Sequence, residues 1–336
     1  MRIAVIGAGA VGGAIAVLLS AAGNDVEVTA RGAHLQAIRD DGLRLRGAWG
    51  DTLARVAAGE RLAGPADLVI VATKAQDAAA AIAENLGVIG EAPLLVVQNG
   101  LDALAGARDA APASRVAGGL AMFAASYLSP GEVTITTPNP TFIGGDDAET
   151  AALFARVLGE VMPVERIDDF AGAQWTKLLI NQVNALPAVT GLSVQDVIAH
   201  RGLRRVLTRS MREAVRVASA EGVRFASLGG MSAARLRLFA ALPLWAAERL
   251  PLAMRRAMGS TPNPGSTLQS IRRGQLSEID YLNGAVVAAG ERAGVPTPIN
   301  TLIVRLVHEV ESSKAFVVPE VVIARVATAT HDEPAA

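Results

Sequence analysis

The feature that most constrains the fold is an apolar strand that runs directly into a glycine-rich turn. Arg2–Ile6 is strand-like, the turn reads Gly7-Ala8-Gly9-Ala10-Val11-Gly12, and an apolar helix-like run follows over 14–22. In a G-x-G-x-x-G turn the first glycine permits the tight bend, the second admits a pyrophosphate and the third lets helix and strand pack closely. The N–H groups and the dipole at the helix N-terminus then favour the anion. These six residues are predicted to bind a dinucleotide, and the alternative is a β–α turn that binds nothing.

The end of the second predicted strand indicates which dinucleotide is bound. NAD-binding folds usually place an Asp or Glu about 20 residues after the glycines, where it bonds the ribose 2′-hydroxyl. Here the strand-like run Val26–Ala30 ends at Arg31 instead. A guanidinium suits a 2′-phosphate through forked, charge-assisted hydrogen bonds. The sequence therefore favours NADP(H), and the alternative is an ordinary solvated arginine.

Composition excludes several classes of function. The 336 residues are 51% hydrophobic and 4% aromatic with a net charge of −1, which disfavours nucleic acid and anionic membranes as partners. Cysteine is absent, and the four scattered histidines show no metal-ligand spacing. No apolar run reaches the roughly 18 residues of a membrane span. We expect a cytoplasmic protein without a metal site.

Hydrophobic patterning divides the chain into two parts. Continuous apolar runs at 68–72 and 94–97 predict strands covered on both faces of a parallel sheet, and later strand signals predict an antiparallel edge. From about residue 169 helical periodicity dominates, with long helices predicted over 170–186 and 233–258.

We therefore predict an α/β fold with a doubly wound, Rossmann-like NADP-binding domain over 1–168. An all-α substrate and catalytic domain is predicted over 169–326, and a disordered tail over 327–336. The broad apolar helix faces of the second domain suit either internal packing or a homodimer interface.

Polar residues follow two of the apolar strands. Lys74 comes directly after Thr73, and Asn99 comes directly after Gln98. Ligands of doubly wound sheets bind at the carboxyl ends of strands, so both side chains are expected near the nicotinamide end of the cofactor. For Asn99 the alternative is a plain turn with Gly100.

Lysine is scarce in this chain, which contains only Lys74, Lys177 and Lys314. A buried lysine can have its pKa lowered towards neutrality, whereas an arginine keeps its proton. On the predicted helix 170–186, Lys177, Asn181 and Asn184 fall on one face among apolar residues. A bound polar ligand would satisfy these groups, and the alternative is a lysine whose ammonium reaches solvent.

A second polar segment follows the break at Pro262–Gly265. Asn263 and Ser266 are predicted at a helix start, and Ser277 is predicted to cap a helix beginning at Glu278. Taken alone, Glu278 has a structural interpretation, because a carboxylate is favoured at a helix N-terminus.

Together these ordered motifs resemble the ketopantoate reductase (2-dehydropantoate 2-reductase) family over nearly the whole chain. The blocks are Gly7-x-Gly9-x-x-Gly12, Arg31, Thr73-Lys74-Ala75, Gln98-Asn99-Gly100, Trp175-Thr176-Lys177-Leu178-x-x-Asn181, and Ser266–Gln269 followed by Glu278–Gly284. The resemblance implies reduction of the 2-oxo acid ketopantoate to D-pantoate with NADPH, on the route to coenzyme A. It implies that Lys177 is the catalytic lysine and general acid, with Glu278 as its acidic partner. It further implies substrate contacts from Asn99, Asn181, Asn263 and Ser266, and contacts of Arg31 and Lys74 with the NADP phosphate and ribose.

The sequence departs from the family pattern at three places. Many members carry an Asn eight residues after the lysine, where this chain has Ala185, and Asn184 is expected to substitute from the same helical face. Val194 stands where members often have a substrate-contacting Asn, and the segment 225–261 is longer and more apolar than usual. The alternatives are therefore a paralogue that reduces a different or bulkier 2-oxo acid, a β-hydroxyacid dehydrogenase-like enzyme, and a non-catalytic NADP-sensing regulator.

Overall fold

The first unit, Met1–Ala171, is built on the apolar strands that the sequence predicts. The structure is a computed structural model, and it describes residues 1–331. The strands are β1 (Arg2–Ile6), β2 (Asp25–Thr29), β3 (Leu43–Gly47), β4 (Thr52–Ala54), β5 (Ala57–Gly59), β6 (Leu68–Val71), β7 (Leu94–Val97), β8 (Val116–Ala121), β9 (Ala124–Ser129), β10 (Glu132–Thr137), β11 (Thr141–Gly144) and β12 (Val164–Arg166). The helices are α1 (Ala10–Ala21), α2 (Gly32–Asp41), α3 (Ala75–Ile89), α4 (Ala103–Ala110) and α5 (Ala148–Gly159).

The main sheet has the strand order β12-β11-β8-β7-β6-β1-β2-β5. From β8 to β5 all neighbours pair in parallel, whereas β11 runs antiparallel to β8, which confirms the predicted antiparallel edge. One face packs on Ile15 and Phe154, and the other packs on Ile82 and Ala107. This covering by helices on both faces explains the unbroken apolar strands and confirms the predicted doubly wound fold.

The strand order places the ends of three strands together. The chain runs from β1 outwards to β2 and later returns to β6 on the other side of β1, so the direction of winding reverses there. Doubly wound sheets bind ligands at the carboxyl ends of strands beside such a reversal. The ends of β1, β6 and β7 are therefore where a cofactor is expected.

A second sheet, with the order β4-β3-β10-β9, is not predicted from the sequence as a unit. Its buried side chains Leu43, Leu45, Val133 and Ile135 join the same core as helix α1. Arg44 and Arg46 alternate with the buried leucines of β3, and β4 has only three residues, so the apolar signal of these two strands is weak. The alternation of buried Leu43 and Leu45 with more exposed neighbours is the period-2 pattern that would have revealed β3.

The second unit begins at Gly172 and is helical, as predicted. The helices from the unit boundary onwards are α6 (Phe170–Asn181), α7 (Ala185–Thr190), α8 (Val194–Ala199), α9 (Arg201–Ala220), α10 (Ala233–Ala241), α11 (Leu244–Ala247), α12 (Arg249–Ala257), α13 (Gly265–Arg272), α14 (Asn283–Ala293), α15 (Pro298–Ser313) and α16 (Pro319–His331). Two 3₁₀ turns, Gln182–Asn184 and Ile279–Tyr281, precede α7 and α14.

Prolines break both of the long predicted helices. The run 170–186 divides into α6, a 3₁₀ turn and α7, and Pro187 cannot donate the backbone hydrogen bond that would continue α6 through this point. The run 233–258 divides into three short helices, with Leu242 extended before Pro243. Both predictions of a single continuous helix are therefore wrong.

The C-terminal prediction is also corrected in part. Helix α16 runs to His331, so residues 327–331 are helical where a disordered tail was expected to start at 327. Residues 332–336 of that tail lie outside the described residues. Among the helices of residues 1–331, none combines the length and hydrophobicity that a membrane crossing needs. The same residues hold no group of three His, Asp or Glu side chains arranged to ligate a metal.

Candidate cofactor and catalytic residues

The glycine loop after β1 has the geometry for which its glycines were predicted. Gly7 has a φ of 96°, and a Cβ there would lie 2.8 Å from the Thr73 backbone nitrogen. A Cβ on Gly12 would overlap the Gly7 carbonyl oxygen, so α1 can pass this close to β1 only without a side chain. At Gly9, the N-cap of α1, a Cβ would meet nothing within 4 Å. That open space at a helix N-terminus suits a pyrophosphate, whose approach a side chain would obstruct.

The N-terminus of α1 also has the electrostatics that an anion requires. Among the residues that the structure describes, no side chain caps this helix, and its first turn, which starts with Ala10 and Val11, carries no acidic residue. Two hydrogen bonds to Thr29 fix the loop: Thr29 Oγ1 accepts the Gly7 N–H (2.9 Å), and the Thr29 carbonyl oxygen accepts the Ala8 N–H (2.8 Å). The loop residues therefore fit a dinucleotide.

His34, one of the four scattered histidines, supports the same loop and was not predicted to do so. Its Nε2 lies 2.7 Å from the Ala8 carbonyl oxygen, and its Nδ1 accepts the Gly131 N–H at 2.9 Å. One ring nitrogen therefore donates while the other accepts, which requires a neutral imidazole. Burial lowers the pKa of His34, in agreement with the neutral form. Gly131 is far along the chain, in the turn between β9 and β10, so no local sequence signal marks this role.

Arg31 lies just beyond the end of β2, where the sequence predicts binding of the ribose 2′-phosphate of NADP. Its side chain is 72% exposed, and its Nη2 lies 3.2 Å from Glu84 Oε2 on α3. Arg61 Nε lies 3.9 Å from the same oxygen. Because β2 and β5 pair Thr29 with Gly59, each arginine stands two residues beyond the end of a neighbouring parallel strand. The structure thus brings two guanidinium groups and one carboxylate together, of which only Arg31 was predicted.

Lys74 and Asn99 follow adjacent parallel strands, as predicted. Lys74 is the N-cap of α3 and comes shortly after β6, and Asn99 comes shortly after β7. Both side chains are partly buried. Gln98 Nε2 donates to the Thr73 carbonyl oxygen (3.2 Å), which links the two strand ends. Lys74, Asn99 and the glycine loop therefore lie along one edge of the main sheet.

Lys177 lies on α6 in the second unit and is only 8% exposed. The alternative of an ammonium that reaches solvent does not agree with this burial. Burial lowers the pKa of Lys177 from its ordinary value of 10.5 to about 8, and the negative charge of Glu278 opposes the shift. The ammonium is thus able to exchange its proton close to neutral pH.

Asn181 and Asn184 are not on one continuous helical face with Lys177. Helix α6 ends at Asn181, and the 3₁₀ turn carries the chain to Asn184, so the predicted face is wrong beyond Asn181. Asn184 Oδ1 instead lies against Gly265, 2.7 Å from where a Cβ would stand. Asn263 Oδ1 accepts the Gly265 N–H (2.8 Å), and exposed Ser266 follows. The start of α13 therefore brings Asn184, Asn263 and Ser266 together.

Gln195 positions this segment and was not predicted. Its Nε2 donates to the Thr261 carbonyl oxygen (2.8 Å), and its Oε1 accepts the Asn263 N–H (2.9 Å). The neighbouring Val194 donates its N–H to the Asn263 carbonyl oxygen (2.8 Å), while its side chain is fully buried. An amide side chain at a buried position of the short, mostly apolar α8 is the signal that could have identified Gln195.

Glu278 precedes a 3₁₀ turn rather than the predicted α-helix. Its carbonyl oxygen accepts the Tyr281 N–H (3.0 Å), and Ser277 Oγ accepts the Ile279 N–H (3.3 Å) in the capping role expected of Ser277. Helix α14 starts only at Asn283. The partly buried Glu278 acts on the charge of Lys177, so the second unit brings together the two residues proposed for catalysis.

Family models and curated relatives match both parts of the chain. The model described as "Ketopantoate reductase PanE/ApbA" matches residues 3–147, and its C-terminal counterpart matches residues 169–311. The 2-dehydropantoate 2-reductase of Halobacterium salinarum is 30% identical over 320 residues, covering 92% of this chain and 98% of the relative. That of Archaeoglobus fulgidus is 27% identical over 318 residues, covering 93% and 98%.

Solved structures share the fold. A PanE/ApbA family ketopantoate reductase from Ralstonia eutropha superposes with a TM-score of 0.79 at 31% identity, covering 93% of this chain and 99% of that chain. A D-mandelate dehydrogenase solved with NADH and anilino(oxo)acetate gives a TM-score of 0.78 at 22% identity, with the same coverage, and shows likeness of fold alone. The chain belongs to the ketopantoate reductase family and is an oxidoreductase of the 2-dehydropantoate 2-reductase type, acting on a CH–OH group with a nicotinamide cofactor.

Proposed function

We propose that this enzyme reduces a 2-oxo acid with NADPH, that its substrate is 2-dehydropantoate, and that Lys177 is the general acid. The observation that carries the proposal is the buried ammonium of Lys177, whose pKa burial lowers to about 8. Such a group keeps its proton at neutral pH and can still give it to an oxygen that is gaining negative charge. An arginine in its place would stabilise that oxygen without releasing a proton.

The roles of the residues follow from the charge changes of the reaction. When bound, the reduced nicotinamide supplies a hydride to the 2-keto carbon. Lys177 Nζ donates a hydrogen bond to the carbonyl oxygen as it becomes negative, and then transfers a proton to it, which completes the 2-hydroxy acid. Glu278 keeps Lys177 charged until that transfer and accepts a hydrogen bond from the hydroxyl group of the substrate.

The substrate carboxylate needs neutral donors. Amide and hydroxyl side chains hold an anion without a further positive charge, which would lower the pKa of Lys177 beyond the value set by burial. The residues proposed for this are Asn99, Asn181, Asn184, Asn263 and Ser266. Their common property, that all are uncharged hydrogen-bond donors, supports a carboxylate-bearing substrate.

A substrate panel tests the proposed reaction. NADPH oxidation is followed with 2-dehydropantoate, with 2-oxoisovalerate, which lacks the hydroxymethyl group, and with phenylpyruvate. We expect the highest kcat/KM with 2-dehydropantoate and a loss with 2-oxoisovalerate, because Glu278 would lose its hydroxyl partner. Oxidation of a 3-hydroxy acid in preference to these, or tight NADPH binding with no turnover of any 2-oxo acid, would contradict the proposal.

A second candidate substrate is a bulkier 2-oxo acid. Val194 is fully buried, so this position contributes an apolar core side chain in place of the substrate-contacting Asn expected from the family pattern. A preference for phenylpyruvate in the same panel would support this candidate.

The preference for NADPH over NADH is proposed to depend on Arg31 and on its carboxylate partner. Glu84 Oε2 lies 3.2 Å from Arg31 and 3.9 Å from Arg61, so one carboxylate occupies donors that a 2′-phosphate would use. A phosphate carries more charge and more acceptor oxygens than a carboxylate, and it should displace Glu84 from these arginines. Glu84 then opposes phosphate binding by repulsion.

Substitutions at the two ends of this ion pair should change cofactor preference in opposite directions. We expect Arg31→Ala to raise the KM for NADPH about tenfold or more, the effect of losing a charged hydrogen bond, and to change the KM for NADH far less. Glu84→Gln should lower the KM for NADPH. The measurement is the ratio of kcat/KM for the two cofactors. Arg39→Ala, near the C-terminus of the helix α2 that follows Arg31, is the control. Equal losses for NADPH and NADH in Arg31→Ala would contradict the assignment.

A further inference from the structure

Five polar side chains form one buried hydrogen-bonded cluster in the second unit, and the proposed mechanism uses none of them. They are Gln182, Ser210, Glu213, Asn283 and Asn300, each at most 3% exposed. We refer to them as the amide cluster. They come from the 3₁₀ turn after α6, from α9, and from the first residues of α14 and α15. The cluster therefore joins segments that are distant in sequence.

Asn283 is the central donor of the amide cluster. Its Nδ2 donates to Gln182 Oε1 (2.8 Å) and to Asn300 Oδ1 (2.9 Å). Ser210 Oγ reaches the same two oxygens, at 2.6 and 2.9 Å, but a hydroxyl has only one proton to donate. The Asn283 amide, with two N–H groups, is thus the group that can satisfy both oxygens at once.

The orientation of the amides is fixed by Glu213. Its carboxylate accepts the Ile299 N–H (3.0 Å), the Asn300 N–H (2.9 Å) and the Asn300 side-chain N–H (2.6 Å). The Asn300 nitrogen must therefore face Glu213, and its oxygen must face Asn283. The direction of each hydrogen bond in the cluster follows from this acceptor.

Gln182 and Asn283 each follow one of the two proposed catalytic residues at the same spacing. Gln182 is five residues after Lys177, and Asn283 is five residues after Glu278. On one side α6 connects Lys177 to the turn with Gln182. On the other side the 3₁₀ turn connects Glu278 to Asn283, with its Tyr281 N–H bonded to the Glu278 carbonyl oxygen. The Gln182–Asn283 hydrogen bond therefore closes a short path between the ammonium and the carboxylate.

Two side-chain atoms of the amide cluster make no hydrogen bond to the described residues. Gln182 Nε2 and Asn283 Oδ1 are buried and find no hydrogen-bond partner among residues 1–331. A buried polar atom without a partner destabilises a fold, and apolar side chains of similar shape would avoid that loss. The two unpartnered atoms belong to the two residues that share the Gln182–Asn283 hydrogen bond, which agrees with a bond kept for its geometry.

We propose that Gln182 and Asn283 are positioning residues, whose hydrogen bond holds Glu278 at its working distance from Lys177. This rests on the proposed function, in which Lys177 is the general acid and Glu278 its partner. If the bond is broken, Glu278 is free to shift away from Lys177. The negative charge of Glu278 then stabilises the protonated form of Lys177 less. Lys177 Nζ and the carboxylate that binds the substrate hydroxyl also lose their alignment.

The test is Asn283→Leu, with Gln182→Met as a second, milder variant. We expect kcat to fall about ten- to a hundredfold, the size of effect that small misplacement of catalytic groups produces, with the KM for NADPH unchanged. The pKa of Lys177, read from ¹³Cε-lysine NMR, should fall below that of the wild type in both variants. In the Glu278→Gln background Asn283→Leu should no longer shift this pKa, because the charge whose position matters is gone.

The matched control is Thr208→Val. Thr208 is equally buried, lies on the same helix as Ser210, and donates its hydroxyl to the Arg204 carbonyl oxygen (2.7 Å) outside the cluster. It should lower the free energy of unfolding without moving the pKa of Lys177. An unshifted pKa in folded Asn283→Leu and Gln182→Met, or an equal shift in Thr208→Val, would overturn the positioning role. Wild-type turnover of 2-oxo acids tests the proposed function separately.

Discussion

Replacing Lys177 with alanine is expected to lower kcat by about 10²–10⁴-fold, the range of a general acid that also stabilises a developing oxyanion. NADPH binding, measured by fluorescence titration, should change little, because the residues proposed to hold the dinucleotide belong to the first unit and Lys177 belongs to the second. A large loss of kcat with retained cofactor affinity would separate chemistry from binding.

Lys177→Arg separates the two roles of the ammonium. The guanidinium keeps the positive charge but does not give up a proton near neutral pH, so we expect turnover to remain far below that of the wild type. In the wild type kcat should fall as pH rises through about 8, because the acid is lost when Lys177 deprotonates. Lys314→Arg, at an exposed site, is the matched control. Robust turnover in either Lys177 variant would contradict the assignment of Lys177 as the general acid.

Neutralising Glu278 should give the second largest effect. We expect Glu278→Gln to lower kcat at pH 7 by about ten- to a hundredfold, which corresponds to the loss of a hydrogen bond to a charged group. Because the charge of Glu278 raises the pKa of Lys177, its removal should lower that pKa. The decline of kcat at alkaline pH should then begin at a lower pH than in the wild type.

Asp280→Asn is the matched control for Glu278→Gln. Asp280 lies two residues further along the same turn, and its carboxylate bonds His308 Nε2 at 2.9 Å. Its neutralisation removes one negative charge from the same segment and should leave the pH profile of kcat in place. If both variants move the profile equally, the special relation of Glu278 to Lys177 is contradicted.

The sequence predicts the main sheet well, because the interactions that form it leave local signals. Gly7 and Gly12 must lack side chains for the chain to turn and for α1 to pack, and the buried strands leave unbroken apolar runs. Lys74 and Asn99 follow the adjacent strands β6 and β7, and parallel strands bring their carboxyl ends to one edge; their contact with the cofactor stays a prediction. His34, Arg61 and Glu84 were missed because their partners come from distant strands and helices.

In the second unit, the spacing of residues in the sequence predicted less well which side chains lie together. The helical face of Lys177, Asn181 and Asn184 assumed one uninterrupted helix, and Pro187 with the 3₁₀ turn before it prevents that. Asn184 still lies close to the segment that holds Asn263 and Ser266, through its contact with Gly265 on α13, which no periodicity reveals. Gln195 and the amide cluster were missed for the same reason, since their hydrogen bonds join segments far apart in sequence.

The most direct test of the central claim is the titration of Lys177 itself. The chain has only three lysines, so ¹³Cε-lysine labelling yields three NMR signals, which Lys177→Arg and Lys314→Arg assign. We predict that the Lys177 signal titrates with a pKa of about 8 in the folded enzyme. A pKa at the ordinary lysine value of 10.5 would mean that the ammonium is solvated and is not the acid proposed here.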